Sequence, residues 1–378
     1  MRVGAKSITI RDVAHEAMVG VGTVSRVLNS GAHVSRATTE RVEAAIRRLG
    51  FRPNAQARRL LRPHSEIVCF LLSNRDFPHT FHARILQGVE NYARSIRQHV
   101  IFAAVHYDAG TSPERIPLPP ILQERGMVDG LILAGTVYAN FLHRIQQMEI
   151  PFVAFGNNVM KYEGQRNFDQ VSYDAFPGER EATLYTIGQG HRLIAFGGDV
   201  SYPWMRVRNE AYLAAMRERN LNPIAFTAPK PALSNLEYGD WLASRALARK
   251  PRPTAMIAGN DEVAFGFWRS LRRRGLRIPE DMSLVGFDDR EEATLMDPPL
   301  TTVRVRKEEV GQACMKMLLE RLHHPSMAYS ERLLATELVV RETVKGLSRS
   351  SATGSAEKER RLPARRKTTA NVELPAEG

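Results

Sequence analysis

From residue 65 onward, short apolar runs alternate with stretches of helical periodicity, and this alternation constrains the fold more than any other feature of the chain. Segments such as "EIVCFLL", "GLILAG", "PFVAFGN", "TAMIAGN" and "MSLVGFDD" are typical of buried strands. Between them lie amphipathic segments such as "FHARILQGVENYARSI" and "DEVAFGFWRSLRRRG". Strands that alternate with helices predict an α/β fold, in which parallel sheets are covered by helices on both faces.

The length of the alternating region predicts more than one sheet. It occupies roughly residues 65–345 of the 378-residue chain, which exceeds one ordinary doubly wound sheet. We therefore expect two such subdomains with a cleft between them, and ligands of such sheets bind beyond the carboxyl ends of the strands. The polar residues that end apolar runs are the corresponding candidates, namely Ser73–Asp76, Asn157, Asn260–Asp261 and Asp288–Asp289.

The first 62 residues differ from the rest in pattern and in charge. "IRDVAHEA", "VGTVSRVLN" and "SRATTERVEAAIRRLG" read as three short helices, the last with Ser35 as its N-cap and Gly50 as its stop. Two helices joined by a tight turn form a helix-turn-helix pattern. Residues 1–62 hold 12 basic and 4 acidic residues, a net charge of +8, whereas residues 63–344 hold 33 of each. A basic head on a neutral body predicts binding to a polyanion.

The connecting and terminal segments have their own composition. "FRPNAQARRLLRP" is bracketed by Pro53 and Pro63, is too short to be a stable isolated helix, and marks a boundary. The C-terminal segment is rich in Ser, Arg and Ala and is predicted to be disordered. Cys69 and Cys314 lie in apolar segments and are predicted to be buried free thiols. No signal peptide or long apolar run is present, so we expect a cytoplasmic protein with no membrane partner.

Six segments point to a known family when they are taken in order. They are "ITIRDVAHEAMVGVGTVSRVLN", "ERVEAAIRRLGFRPNAQARRL", "VDGLILAGT", "GHRLIAFGGD", "GNDEVAFGFWRSLRRRGLRIPEDMSLVGFDD" and "DPPLTTVRV". Together they resemble the LacI/GalR (lactose-repressor) family of bacterial transcription regulators, across roughly residues 8–345.

The resemblance implies a three-helix, helix-turn-helix DNA-binding headpiece, a hinge helix and a periplasmic-binding-protein-like body of two doubly wound parallel-sheet subdomains. The implied domains are the headpiece at 1–51, the hinge at 52–63, the effector-binding and dimerisation body at 64–345 and a disordered basic tail at 346–378. Within the body, the implied N-subdomain is about 65–172 plus 302–328, and the C-subdomain is about 173–301 plus 329–345.

The resemblance also implies two contacts with DNA. In the family, the second helix lies in the major groove, and the paired hinge helices of a dimer enter the minor groove. Val21 and Gly22 match base-reading positions, while Thr23 and Ser25 lie near phosphates and base edges. An arginine offers two donors to a guanine edge, and a leucine can pry a base step apart. The further residues carried over are Arg26 on the second helix, Thr9 and Asn29 beside the helices, and Asn54, Arg58, Arg59 and the wedge Leu60 in the hinge. A solvated helix face and a plain basic linker are the alternatives.

The turn before the second helix departs from the family pattern. Where the family has "AGVS", this chain has Ala17-Met18-Val19-Gly20. Met18 thus stands at a position that requires a positive φ, and Gly20 replaces the serine N-cap. We expect strain at Met18 and a small loss of helix stability at Gly20.

The cleft of the body is the expected effector site. Arg208, Asp288 and Asn260 match the cleft arginine, the cleft aspartate and a strand-end position of the family. A guanidinium and a carboxylate suit vicinal hydroxyls or a carboxylate ligand, although the two could instead form an interdomain ion pair. Weaker candidates for the cleft wall are Ser73, Phe77, Phe81, Asp174, Phe176 and Trp204. A separate hypothesis, that the effector is an anion, rests on Arg75, His79 and His82.

The resemblance implies a transcription regulator rather than an enzyme. The implied partners are double-stranded DNA with a pseudo-palindromic operator, a sugar or sugar derivative, and a second copy or a tetramer of the chain, with no cofactor and no metal. An enzyme on the same sheet is the rival class, supported by the acidic cluster at residues 288–292 and by the His79/His82 spacing. Against this class, the sequence has no GxGxxG after the first strand, no P-loop lysine and no Ser or Cys in a nucleophile-elbow context. An activator, or a regulator without an effector, is the third reading.

Overall fold

A computed structural model gives the structure of residues 8–28, 34–51, 65–75, 80–160, 167–226 and 233–347. The chain divides into two compact units, Met1–Ile67 with Pro120–Asp129, and Val68–Pro119 with Gly130–Gly378. The segment Pro120–Asp129 thus departs from the predicted body boundary. Its last residue explains this, because the carboxylate of Asp129 accepts the N–H groups of Ser65 and Glu66 at 2.6 and 2.8 Å.

The headpiece consists of three helices, as the sequence predicts: α1 (Ile10–Glu16), α2 (Val21–Leu28) and α3 (Arg36–Leu49). Ser35 caps α3 by accepting the N–H of Thr38, and Gly50 ends it with a φ of +63°. A small apolar core holds the helices together, with side chains from all three helices and from Phe51 after α3. The buried ones are Val13, Ala14, Ala17, Val24, Val42, Ala45 and Phe51.

The first lobe of the body is built on a six-stranded sheet whose spatial order is β13-β7-β5-β3-β1-β2. Its strands are β1 (Ile67–Ser73), β2 (His99–Val105), β3 (Gly130–Gly135), β5 (Phe152–Phe155), β7 (Asp169–Tyr173) and β13 (Glu331–Leu334). Its helices are α4 (Thr80–Ser95), α6 (Ala139–Gln146) and α12 (Lys307–His323), and a short α5 (Pro120–Gln123) belongs to the other unit. Two short strands, β4 (Val137–Tyr138) and β6 (Val159–Met160), pair in parallel.

The second lobe repeats this architecture with the order β14-β12-β11-β10-β8-β9. Its strands are β8 (Ile194–Gly197), β9 (Ile224–Phe226), β10 (Ala255–Ala258), β11 (Ser283–Asp288), β12 (Thr301–Val305) and β14 (Thr336–Val339). Its helices are α7 (Ala175–Gly188), α8 (Pro203–Glu218), α9 (Asn235–Ala248), α10 (Asp261–Arg273) and α11 (Glu292–Leu295). All pairings here are parallel except that of β14 with β12.

Within the described residues the chain passes from lobe to lobe three times, after β7, after β12 and after β13. The predicted subdomain boundaries at residues 302 and 328 are therefore wrong. Strand β12 pairs with β11 in the second sheet, and β13 pairs with β7 in the first. The strands β13 and β14 are short and contain no buried residue, so they lack the buried apolar run that marks the other strands in the sequence.

Two pairs of helices approach closely through glycine. A methyl group on Gly88 of α4 would lie 2.0 Å from the carbonyl oxygen of Glu308, and one on Gly311 of α12 would lie 2.0 Å from that of Ile85. The second lobe has the same arrangement between Gly239 of α9 and Gly266 of α10. Each contact involves backbone atoms, which cannot move aside as a flexible side chain can, so any Cβ here forces the helices apart.

The two cysteines are free and buried, which confirms the prediction for them. Burial raises the pKa of both thiols to about 12, so each remains a protonated, apolar core residue. Among the helices that the structure describes, none has the length and apolar composition needed to cross a membrane.

Candidate functional site

The outer face of α2 carries the side chains that the sequence singled out. Val24 is fully buried against the other helices, whereas Val21, Gly22 and Arg26 are exposed. Residues four apart share one face of a helix, and the Nε of Arg26 donates to the carbonyl oxygen of Gly22 at 3.2 Å. The guanidinium therefore lies along a face made of small residues, where a flat surface can approach the helix closely.

The turn before α2 has the strained backbone that the sequence predicts. Met18 adopts a φ of +52° and its side chain is 87% exposed. The carbonyl oxygen of Gly20 accepts the N–H groups of Thr23 and Val24 at 2.8 and 3.2 Å, so the helix begins in the ordinary way. Gly20 has no side chain with which to cap the remaining N–H groups.

The other predicted DNA contacts differ in their exposure to solvent. Thr9 is exposed at the start of α1, and its hydroxyl donates to the Oδ2 of Asp12 at 2.7 Å. Thr23 and Ser25 are half-buried on α2. The remaining predicted contacts lie outside the described residues: Asn29, Asn54, Arg58, Arg59 and Leu60.

The body contains a cleft of about 560 Å³ at the carboxyl ends of strands from both sheets. Asn74 and Tyr173 line it from the first lobe, and Asn260 and Asp288 line it from the second. The sequence-predicted residues that line it are Asn74, Phe81, Trp204, Arg208, Asn260 and Asp288, together with Arg75 and His82, on which the anion hypothesis rests.

Arg208 lies at the centre of the polar network in the cleft. Its guanidinium donates to the hydroxyl of Tyr173 at 2.7 Å, to the Oδ1 of Asp288 at 3.0 Å and to the carbonyl oxygen of Gly259. It also lies 3.6 Å from the centroid of the Phe287 ring. The ion pair with Asp288 forms within the second lobe, so the interlobe bond of Arg208 is the one to Tyr173, and the predicted alternative of an interdomain ion pair is wrong.

The backbone around Asp288 is held in an unusual conformation by charged neighbours. Asp288 and Asp289 have φ values of 115° and 48°. The Nζ of Lys307 donates to the carbonyl oxygens of both, and the carboxylate of Asp289 accepts from Arg304 and Arg341 at 2.6 Å each. Strain of this kind persists only where the surroundings enforce it, and here it presents the Asp288 carboxylate to the cleft.

An acidic side chain lies buried behind the cleft arginine. Glu179 on α7 is fully buried, and neither of its carboxylate oxygens has a hydrogen-bond partner among the described residues. Burial raises the pKa of Glu179 from 4.5 to about 8, and the positive charge of Arg208 opposes that shift. Between pH 4.5 and about 8, the carboxyl group of Glu179 is therefore protonated in the folded chain and ionised in the unfolded chain.

We expect the substitution Glu179→Gln to flatten the pH dependence of stability. In the parent chain, the contribution of this group to the free energy of unfolding is intact below the unfolded pKa of 4.5 and is lost as the pH rises through about 8. A difference of one proton gives a slope of about 1.4 kcal/mol per pH unit, which Gln removes. Urea unfolding across this pH range measures it. The exposed Glu181→Gln on the same helix is the control, and equal slopes in Glu179→Gln and parent would contradict the assignment.

Three predicted wall residues do not line the cleft, which corrects those predictions. Ser73 is fully buried and is bonded to the hydroxyl of Tyr107 and to the carbonyl oxygen of Thr136. The carboxylate of Asp174 caps α7 by accepting the N–H of Phe176, which is itself 37% exposed. Phe77, like His79, lies outside the described residues.

Several lining residues carry a sequence signal that was not used. Tyr173 lines the cleft as the last residue of β7 and stands directly before the weaker candidate Asp174. Tyr202 stacks on Trp204 with 4.7 Å between ring centroids. Asp199 follows "RLIAFGG" directly and could have been found by the same rule. The described residues contain no cluster of His, Cys, Asp and Glu that could hold a metal ion.

Comparison with known proteins gives matches over both parts of the chain. Residues 9–54 match the family model of bacterial regulatory proteins, lacI family, and residues 183–344 match that of a periplasmic binding protein-like domain. The chain is 31% identical to the ribose operon repressor of Escherichia coli (strain K12) over 336 residues, which cover 88% of this chain and 98% of that repressor. It is also 31% identical to the HTH-type transcriptional repressor PurR of Haemophilus influenzae over 350 residues, which cover 90% of this chain and 99% of that protein. A solved structure of the lac repressor dimer bound to operator and the anti-inducer ONPF aligns with a TM-score of 0.75 and 26% identity, covering 90% of this chain and 100% of that one.

A helix-turn-helix headpiece and a two-lobed body with a polar cleft define the class of DNA-binding regulators that respond to a small molecule. Within that class, this chain belongs to the lacI family of bacterial regulatory proteins. The family and the fold class predicted from the sequence are confirmed. Because the relatives are transcriptional repressors, the chain is a transcription regulator and the enzyme alternative is set aside.

Proposed function

We propose that the chain is a homodimeric repressor of the bacterial cytoplasm, whose affinity for a pseudo-palindromic operator is set by a sugar or sugar derivative in the cleft. The observation that carries the effector part is the cleft of about 560 Å³ with the Arg208–Asp288 pair at its base. A guanidinium donates and a carboxylate accepts, so together they match the two roles of a hydroxyl group. The ribose operon repressor and the operator-bound lac repressor dimer among its relatives support the proposal.

The proposal assigns the domains as follows. Residues 1–51 bind DNA, residues 52–63 form the hinge, residues 64–345 bind the effector and dimerise, and 346–378 form a basic tail. The excess of basic residues in 1–62 supplies the general attraction to the phosphate backbone. The neutral body adds little to that attraction, so it can control operator binding without contributing to non-specific binding.

Individual roles in DNA binding follow from exposure and chemistry. The exposed guanidinium of Arg26 reads a guanine edge, and Val21 and Gly22 set how closely the helix approaches the base pairs. The supporting contacts to the backbone or to the minor groove are assigned to Thr9, Thr23, Ser25, Asn29, Asn54, Arg58, Arg59 and Leu60. For the effector, Phe81, Arg208, Asn260 and Asp288 are the assigned contacts.

Genomic footprinting followed by direct titration tests the function. Footprinting identifies the bound sites, and fluorescence anisotropy with one such duplex measures operator affinity with and without sugars suggested by the neighbouring genes. We expect sequence-specific binding that changes with at least one such metabolite. Binding of equal strength to unrelated duplexes, or operator affinity that no metabolite changes, contradicts the proposal.

We expect Arg26→Ala to weaken operator binding by about 1–3 kcal/mol and to relax the preference for the base pair that it reads. Arg26→Lys separates the two possible contacts, because lysine keeps the charge for a phosphate but loses the paired donors for guanine. Loss of base preference in both variants supports base reading. Full retention of base preference in Arg26→Lys, with uniform weakening in Arg26→Ala, identifies a phosphate contact instead.

A further inference from the structure

One cation of the cleft has no counter-ion among the residues that the structure describes. Arg208 pairs with Asp288 at 3.0 Å, and the carboxylate of Glu262 lies 3.6 Å from Arg290. Arg75 also lines the cleft, but it forms no hydrogen bond or ion pair with any residue that the structure describes. Its contact there is with the ring of Trp204, at 6.0 Å from the guanidinium carbon to the centroid.

The position of Arg75 is set by its neighbour in the chain. Asn74 has a φ of +50°, its Oδ1 accepts the N–H of Tyr107 at 2.9 Å, and its Nδ2 donates to the carbonyl oxygen of Thr136. These bonds fix the backbone where β1 ends, so the side chain that follows starts from a fixed point. The Nε of Arg75 is enclosed and has no acceptor within the described part of the chain, although a buried donor is normally paired. An anionic group of a ligand in the cleft would pair with the guanidinium of Arg75 rather than with this enclosed atom.

The rest of the cleft wall is suited to a hydroxylated ring. Tyr202 and Trp204 form a stacked aromatic surface beside Arg75, and such surfaces pack against the apolar face of a ring. The second lobe adds the carboxylates of Asp199 and Asp288, which accept from hydroxyl groups and repel a second negative charge. A ligand that carries both hydroxyls and one anionic group is therefore oriented with its anion at Arg75.

We propose that the effector is a polyhydroxylated anion, whose carboxylate or phosphate pairs with Arg75 while its ring stacks on Trp204. The inference rests on the proposed function and specifies its ligand class. Charge-assisted hydrogen bonds from a guanidinium to a carboxylate or a phosphate share one geometry, so a sugar acid and a sugar phosphate are both compatible with it. Neutral sugars satisfy the hydroxyl contacts but leave Arg75 unpaired.

Calorimetric titration of the full-length chain with matched ligands tests this. The probes are glucose, glucuronate and glucose 6-phosphate, with ribose and ribose 5-phosphate as a second pair. We expect one anionic probe to bind at least about tenfold more tightly than its neutral partner, which corresponds to about 1.4 kcal/mol. Preference for glucuronate identifies a carboxylate, and preference for a phosphate ester identifies a phosphate.

The variant Arg75→Gln makes the assignment specific. We expect it to remove the preference for the anion and to leave affinity for the neutral sugar within about twofold, while the exposed Arg115→Gln changes neither. Equal affinity for neutral and anionic probes, a charge preference that survives in Arg75→Gln, or failure of every anionic probe to bind overturns the inference. Operator affinity measured in parallel separates the two proposals. If only a neutral sugar changes operator affinity, the proposal of an anionic effector is overturned, whereas the proposal of an effector-controlled regulator stands.

Discussion

Replacing Arg208 by methionine abolishes the response of operator binding to effector and lowers the free energy of unfolding by about 3–5 kcal/mol. The Arg208 side chain is 2% exposed and that of Asp288 is 13% exposed, so the ion pair is enclosed by protein. Methionine keeps most of the length but none of the donors. It leaves the carboxylate of Asp288, the hydroxyl of Tyr173 and the carbonyl oxygen of Gly259 without their shared partner.

Urea unfolding followed by tryptophan fluorescence measures the loss in the relevant lobe, because Trp204, Trp241 and Trp268 all belong to helices of the second lobe. Arg217→Met on the same helix is the matched control, since that side chain is exposed and its loss should change stability by no more than about 0.5 kcal/mol. A variant at Arg208 with parental stability and an intact effector response would show that the network is neither structural nor part of the site.

The second large effect is expected at Gly88, where substitution by alanine should destabilise the first lobe by about 1–3 kcal/mol or more. The added Cβ meets the carbonyl oxygen, the carbonyl carbon and the Cα of Glu308 at 2.0, 2.7 and 2.8 Å. All three are backbone atoms at the start of α12, so relief requires a shift of a whole helix. The shift would also strain the reciprocal contact of Gly311 with α4.

Thermal unfolding followed by far-UV circular dichroism measures this effect. Gly188→Ala is the matched control, because Gly188 is the last residue of α7 and an added Cβ there meets no atom within 4 Å. Alanine favours helix over glycine by about 1 kcal/mol, so the control should be neutral or stabilising. A melting temperature for Gly88→Ala equal to that of Gly188→Ala would mean that the two helices can separate without cost.

The architecture could be predicted from the sequence because each buried strand is recognisable as an apolar run. Strands such as Gly130–Gly135 are buried at every position, and the alternation with helices follows directly. The course of the chain between the lobes was not predictable in the same way. Glu331–Leu334 and Thr336–Val339 carry charged residues and no buried side chain, so their composition does not indicate which sheet they join. That choice is made by hydrogen bonds with strands far away in sequence.

The location of the cleft, at the carboxyl ends of the strands, was predicted more reliably than the individual residues that line it. Strand ends pointed to Asn260 and Asp288, which line it, but also to Ser73, which does not. Successive side chains of a strand point to opposite faces, so an error of one residue moves a candidate to the wrong side. Asn74 lies in the cleft and Ser73 behind it for this reason. The apolar pattern of a strand does not indicate which of the residues at its end faces the cleft.

The interleaved course of the chain has a consequence for its synthesis. The edge of the first sheet is completed only when Gln170 meets Glu331, which lies 161 residues further along. A nascent polypeptide that has emerged from the ribosome as far as the second lobe therefore still exposes the unpaired margin of β7, which is a site for mistaken association. Neither lobe can be encoded as one uninterrupted gene fragment, so this regulator cannot exchange a single lobe by simple recombination at one junction.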